Sequence, residues 1–195
     1  MSWLAIELYR KGMVKIGQFK LSSGLESPFY IDLRRLYSYP ELMENIINMA
    51  LNTINLDEYD GITGIATSGL VLASFIACRT KKPLSYVRLE RKEYGTKSLV
   101  EGDVVSKKIL IVDDVATTGS SIEYAYLAVK EQGGNPIGVF VVIDREQGAR
   151  ERLGRYGLRF YSLLTARELF DILRNEGYID EEKYNEIIEY LKGYR

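Results

Sequence analysis

The hydrophobic pattern changes character near Gly61. Before it, apolar positions are spaced for elements with one wet face: 3–11 reads as a short amphipathic helix, and 13–16 and 19–21 as strands. The turn-rich run Ser22-Ser23-Gly24-Leu25-Glu26-Ser27-Pro28 follows, and 29–33 is extended again. Pro40 suits the first turn of a helix whose apolar stripe is Leu42, Ile46, Ile47, Met49, Ala50 and Ile54. From Gly61 onward strand and helix character alternate over 62–66, 70–79, 84–87, 109–112, 121–131 and 137–143. Ile109-Leu110-Ile111-Val112 and Val139-Phe140-Val141-Val142-Ile143 are apolar at every position, as strands covered by helices on both faces must be. A mostly parallel central sheet in an α/β fold is therefore predicted. Residues 159–164 supply a last strand, and 166–175 and 181–191 read as closing helices. With 195 residues, 46% of them hydrophobic, one domain over 1–195 is expected. Within it, 1–55 form mainly a small N-terminal lobe, 56–165 the core and 166–195 the C-terminal helices.

Composition narrows the chemistry. Lysine and arginine total 26 against 27 acids, a net charge of -1, so no basic stripe for a nucleic-acid partner is expected. The absence of histidine excludes a Ser-His-Asp triad, an HExxH zinc helix and imidazole proton transfer. Cys78 is the single cysteine, which rules out an intrachain disulfide or a cysteine-cluster metal site. Its neighbours Ile76 and Ala77 predict that it is buried. The start, Met1-Ser2-Trp3-Leu4-Ala5-Ile6-Glu7, lacks the basic region of a targeting segment. The longest apolar stretch, 69–78, is about half of the ~20 residues a spanning helix needs, so no membrane partner and a cytoplasmic location are expected.

The most informative segment is Ile109-Leu110-Ile111-Val112-Asp113-Asp114-Val115-Ala116-Thr117-Thr118-Gly119-Ser120-Ser121. A buried strand leads into two carboxylates, and a Thr/Gly/Ser loop then opens a helix, bringing amides and hydroxyls to the carboxyl edge of the sheet. No lysine follows Gly119, so this is not a Walker A loop. A vicinal diol suits the carboxylates and a phosphate suits the loop; a ribose 5-phosphate meets both demands. The plainer alternative is a helix cap beside two solvated aspartates. The segment resembles the phosphoribosyl-pyrophosphate motif of the type I phosphoribosyltransferases. That resemblance implies Asp113 and Asp114 for the ribose hydroxyls and Ala116, Thr117, Thr118, Gly119 and Ser120 for the 5-phosphate. Ile65-Ala66-Thr67-Ser68-Gly69 resembles the family's pyrophosphate loop, which assigns Thr67, Ser68 and Gly69 to that group.

The run from Gly17 to Arg34 resembles the hood of the orotate phosphoribosyltransferases, the branch of the family to which the likeness extends over nearly the whole chain. A flat pyrimidine could then pack on Phe29 and Tyr30, with Ser22 at the base site. Without the family, two aromatics after Ser-Pro are more often core than ligand platform. The charged stretch between 87 and 109 exceeds an ordinary connection and fits a mobile lid or, equally on length alone, a solvated hairpin. Its Arg88-Leu89-Glu90-Arg91-Lys92-Glu93-Tyr94-Gly95 resembles the family's catalytic loop, with Lys92 reaching the pyrophosphate, Arg88 binding it, and Tyr94 where a histidine is usual. Arg145 falls on the arginine that contacts orotate; its other reading is a surface pair with Asp144 or Glu146. Ser22 and Ser68 stand where many members carry lysine, and Leu89 where a second basic residue is common.

The resemblance implies the type I phosphoribosyltransferase fold with its hood and mobile lid, and transfer of a phosphoribosyl group from phosphoribosyl pyrophosphate to orotate in pyrimidine synthesis. It further implies Mg²⁺ as cofactor, carried by substrate oxygens without a dedicated protein metal site, and a cytoplasmic homodimer sharing its lids between subunits. A purine or uracil enzyme is opposed by the hood and Arg145. A non-catalytic sensor is opposed by Lys92 in the lid.

Overall fold

A computed structural model describes residues 1–20, 26–89 and 98–194. Helix α1 (Ser2–Arg10) buries Leu4, Ala5 and Leu8 and leads into an antiparallel ribbon of β1 (Val14–Lys20) and β2 (Glu26–Ile31), registered Val14 to Ile31 and Ile16 to Phe29. Leu33, expected to continue the strand, instead starts a 3-10 helix, Leu33–Ser38. The reason is local: the Asp32 carboxylate accepts the Arg34 amide at 3.0 Å and turns the backbone. Helix α2 (Pro40–Thr53) begins at its proline and buries Leu42, Met43, Ile46, Ile47 and Ala50.

The remainder is wound around one sheet. Its elements are β3 (Gly61–Ile65), α3 (Ser68–Thr80), β4 (Leu84–Val87), β5 (Val100–Glu101), β6 (Lys108–Ala116), α4 (Ser120–Glu131), β7 (Asn135–Asp144), α5 (Ala149–Gly154), β8 (Arg159–Thr165), α6 (Ala166–Asn175) and α7 (Glu181–Lys192). The strand order is β5-β4-β3-β6-β7-β8, parallel except for short β5. Alternate residues of the apolar strands enter two cores. Leu110, Val112, Phe140 and Val142 join α1, α2, α3, α6 and α7 on one face, whereas Ile109, Ile111, Val139 and Val141 join α4 and α5 on the other. The residues expected to form the N-terminal lobe thus share the larger core with the sheet.

From β3 the chain steps outward to β4, then returns to place β6 on the other side of β3. Loops leaving these two strands diverge, and a crevice opens between their carboxyl ends. Two further expectations are corrected nearby. Strand β6 continues through the acidic pair to Ala116, because the ten-residue β7 supplies partners as far as Ala116 to Asp144. Cys78 is exposed: Ile76 and Ala77 take the inward positions of α3, and the next residue has rotated outward. Among the described residues, no helix is long and apolar enough to cross a membrane.

Candidate active site

The crevice is built first by a missing side chain. A Cβ on Gly69 would collide with the Val112 carbonyl and the Asp113 Cα, so glycine lets the start of α3 press against β6. Thr67-Ser68-Gly69 is thereby held beside the acidic pair. Asp113 is buried: its Oδ1 accepts the Asp114 amide at 3.0 Å, and its Oδ2 faces the Ser121 hydroxyl of α4 at 3.4 Å. The Asp114 carboxylate accepts the Val115 amide at 2.9 Å and lies within hydrogen-bonding reach of the Ser68 hydroxyl, which also meets the phenol of Tyr37. Neither aspartate forms an ion pair among the described residues. Burial pushes both carboxyls up, Asp113 well above the ordinary range, where the neighbouring Asp114 charge adds to the effect.

Beyond the pair, Ala116 and Gly119 are buried while Thr118 and Ser120 are exposed. Gly119 adopts φ 78° at the start of α4, whose first turn has no side-chain cap. Thr118 Oγ1 donates to Ser120 Oγ at 3.2 Å. Free helical amides flanked by hydroxyls suit an anion.

Arg145 follows β7, and its amide donates to the Ala116 carbonyl at 2.8 Å, tying it to the same loop. Its side chain is buried, with the guanidinium carbon 4.7 Å from the Phe29 ring centre and Nη2 3.4 Å from the Ser27 hydroxyl. Nε is buried without a hydrogen-bond partner. Desolvation draws the pKa down, although guanidinium keeps its proton. The surface pairing is not formed: Asp144 instead binds Arg150 Nε at 2.6 Å, and Glu146 accepts the Arg167 amide at 2.9 Å.

The expected aromatic platform divides along the strand. Phe29 is fully buried against Phe170, 4.8 Å between ring centres, and forms a floor beneath Arg145 rather than an open stacking face. Tyr30, half-buried on the opposite side, packs 5.7 Å from Phe19. Arg88, at the end of β4, binds the Tyr86 hydroxyl at 2.8 Å and Glu101 at 3.2 Å, and Leu89 is exposed. Ser22, Lys92 and Tyr94 lie outside the described residues.

Residues 33–156 match the model of the phosphoribosyl transferase domain family. The chain is 46% identical over 188 residues to an orotate phosphoribosyltransferase of Staphylothermus marinus, covering 96% of this chain and 93% of the relative. The chain belongs to the orotate phosphoribosyltransferase family. Consistently, the crystal structure of orotate phosphoribosyltransferase from Aeropyrum pernix matches with a TM-score of 0.80 at 39% identity, over 91% of this chain and 99% of that one. A Leishmania donovani UMP synthase matches with a TM-score of 0.86 at 28% identity, covering 99% of this chain and 42% of the synthase.

Ser68, expected where many family members carry lysine, lies close to both Asp114 and Tyr37. Tyr37, Ser27, Ser121, Gln147 and Tyr190 were not legible as site residues. Tyr37 lies between the extended run 29–33 and the helix that opens at Pro40, where the pattern assigns no element, and Tyr190 lies on a predicted closing helix that carries no motif.

Proposed function

We propose that the crevice between β3 and β6 joins orotate to phosphoribosyl pyrophosphate, with the ribose across Asp113 and Asp114 and the orotate carboxylate at Arg145. Orotate N1 attacks the anomeric carbon, the bond to pyrophosphate oxygen breaks, and orotidine 5-monophosphate and pyrophosphate leave. One observation carries this reading: the same sheet edge holds one buried and one half-buried carboxylate, neither in an ion pair among the described residues, and one buried guanidinium with an idle Nε. Carboxylates accept from a diol, and a guanidinium grips a planar carboxylate with two hydrogen bonds. Uracil and purines lack that carboxylate.

The remaining roles follow from position. Ala116, Thr117, Thr118, Gly119 and Ser120 take the 5-phosphate on the amides of α4, and Thr67, Ser68 and Gly69 take pyrophosphate at the start of α3. Positive charge develops on the ribose as the bond breaks, and the fixed carboxylates stabilise it. Arg88 and, from the lid, Lys92 oppose the charge of the leaving group, with Tyr94 beside them; Ser22 and Tyr30 border the base. Among the described residues no three acidic, cysteine or histidine side chains form a metal cluster. Two carboxylates beside a polyanionic substrate nonetheless fit Mg²⁺ held chiefly by substrate oxygens and water. When bound, the ion would neutralise charge on the departing pyrophosphate. The family relation supports a cytoplasmic homodimer in which each lid serves the neighbouring site.

The deciding experiment is pyrophosphate release from phosphoribosyl pyrophosphate and Mg²⁺ with orotate, uracil or adenine. Release only with orotate is expected; release with another base but not orotate overturns the reading. The same assay on mixed Lys92→Ala and Asp114→Asn chains tests the shared lid. Random pairing should restore about a quarter of wild-type sites. Verified heterodimers without activity would place each lid over its own site.

A further inference from the structure

The chain's last helix, α7, reaches the base end of the site with Tyr190. Tyr190 of α7 meets the Phe29 ring edge-on, 5.8 Å between centres at 90°, while Arg145 lies against the same ring. The phenol is also held at its tip. Gln147 Nε2 donates to its oxygen at 3.1 Å, the Tyr194 hydroxyl is 3.1 Å away, and Ser27 is within hydrogen-bonding reach. Ser27 Oγ donates to the Phe29 carbonyl at 2.8 Å, so its lone pairs face the Arg145 Nη2 contact. Phe29, Ser27 and Arg145 are buried, and Gln147 is 4% exposed. Tyr190 therefore braces both the floor and the Ser27 contact of a guanidinium that has no carboxylate partner among the described residues.

We propose that Tyr190 is a positioning residue for orotate: through Phe29 and Ser27 it fixes the Arg145 guanidinium, and so sets affinity for the base's carboxylate without touching the phosphoribosyl donor. This rests on the reading of Arg145 as the carboxylate-binding group. The arrangement uses rigidity where the protein supplies no counter-charge. A guanidinium with free rotamers would lose conformational freedom on gripping a planar carboxylate, whereas one already wedged between an aromatic floor and a tethered hydroxyl loses little. Tyr190 belongs to an element distant in sequence from every motif of the reaction.

The test is steady-state kinetics on full-length chains with both substrates varied. Tyr190→Phe keeps the ring and removes the hydroxyl. It should raise the KM for orotate roughly three- to tenfold, the range of one lost hydrogen bond, and leave the KM for phosphoribosyl pyrophosphate within about twofold. In an Arg145→Gln background the same change should add nothing to the orotate KM, because the group it positions is gone. An unchanged orotate KM, an equal rise in both KM values, or full additivity with Arg145→Gln overturns the proposal and leaves Tyr190 a packing residue. A wild-type chain without orotate-dependent pyrophosphate release would first remove the reading of Arg145, and the proposal with it.

Discussion

The ends of two neighbouring strands of the same sheet solve opposite electrostatic problems. At the end of β6 the protein buries negative charge that its neighbours destabilise; at the end of β7 it buries positive charge on an aromatic floor. Asp144, just before Arg145, shows what a stabilising arrangement looks like: its carboxylate accepts Arg150 Nε at 2.6 Å and the Glu146 amide at 2.9 Å. Among the described residues, Asp113 and Arg145 have no such opposite charge. Burying an ion without a counter-ion opposes folding, so each is best understood through a ligand that supplies the missing charge or donors.

The contrast is most sharply tested by neutralising each end. Asp114→Asn should lower kcat/KM for both substrates on the order of 10²-fold, because a carboxylate acting on the developing ribose charge serves the transition state. Similar turnover in Asp114→Asn and wild type would break the assignment of β6. Arg145→Gln is expected to have the smaller and more selective effect: a roughly 10- to 100-fold rise in the KM for orotate, with that for phosphoribosyl pyrophosphate little changed. Equal damage to both substrates would erase the distinction between the two ends.

A third, smaller effect concerns stability. The folded Asp113 carboxyl titrates above its unfolded counterpart, so the native state binds more protons in the interval between them and stability falls as pH rises through it. The penalty is fully present above the folded value and vanishes below the ordinary carboxylate range. Asp113→Asn lacks it. Thermal unfolding of the ligand-free chain should therefore show Asp113→Asn melting about 2–4 °C higher than wild type at pH 7, with the curves converging near pH 4 or below. A lower melting temperature at pH 7 would mean that the carboxylate is stabilised in place.

Much of this was legible because periodicity and loop chemistry are local. The continuous apolar runs at 109–112 and 139–143 signalled a sheet covered on both faces, and Asp113-Asp114 followed by Thr117-Thr118-Gly119 marked its working edge. What failed to show depends on facing. Phe29 and Tyr30 are adjacent letters, and only the register of β2 on β1 sends one into the core and the other away from it. Short α5 and two-residue β5 carry too little pattern to announce themselves. Arg145 was found by likeness, but nothing near it in sequence pointed to Ser27 or Tyr190, since neither lies in the same element.

The continuation of β6 through the acidic pair has one further consequence. Successive residues of a strand look out on opposite sides, so the two carboxylates are not spare copies of one another. Asp113 answers to Ser121 on α4, the helix that carries the phosphate loop, and Asp114 to Ser68 and Tyr37, the second of which belongs to the N-terminal lobe. A change at Ser121 therefore acts first on Asp113 and a change at Ser68 first on Asp114, and each reaches the second carboxylate only through the first.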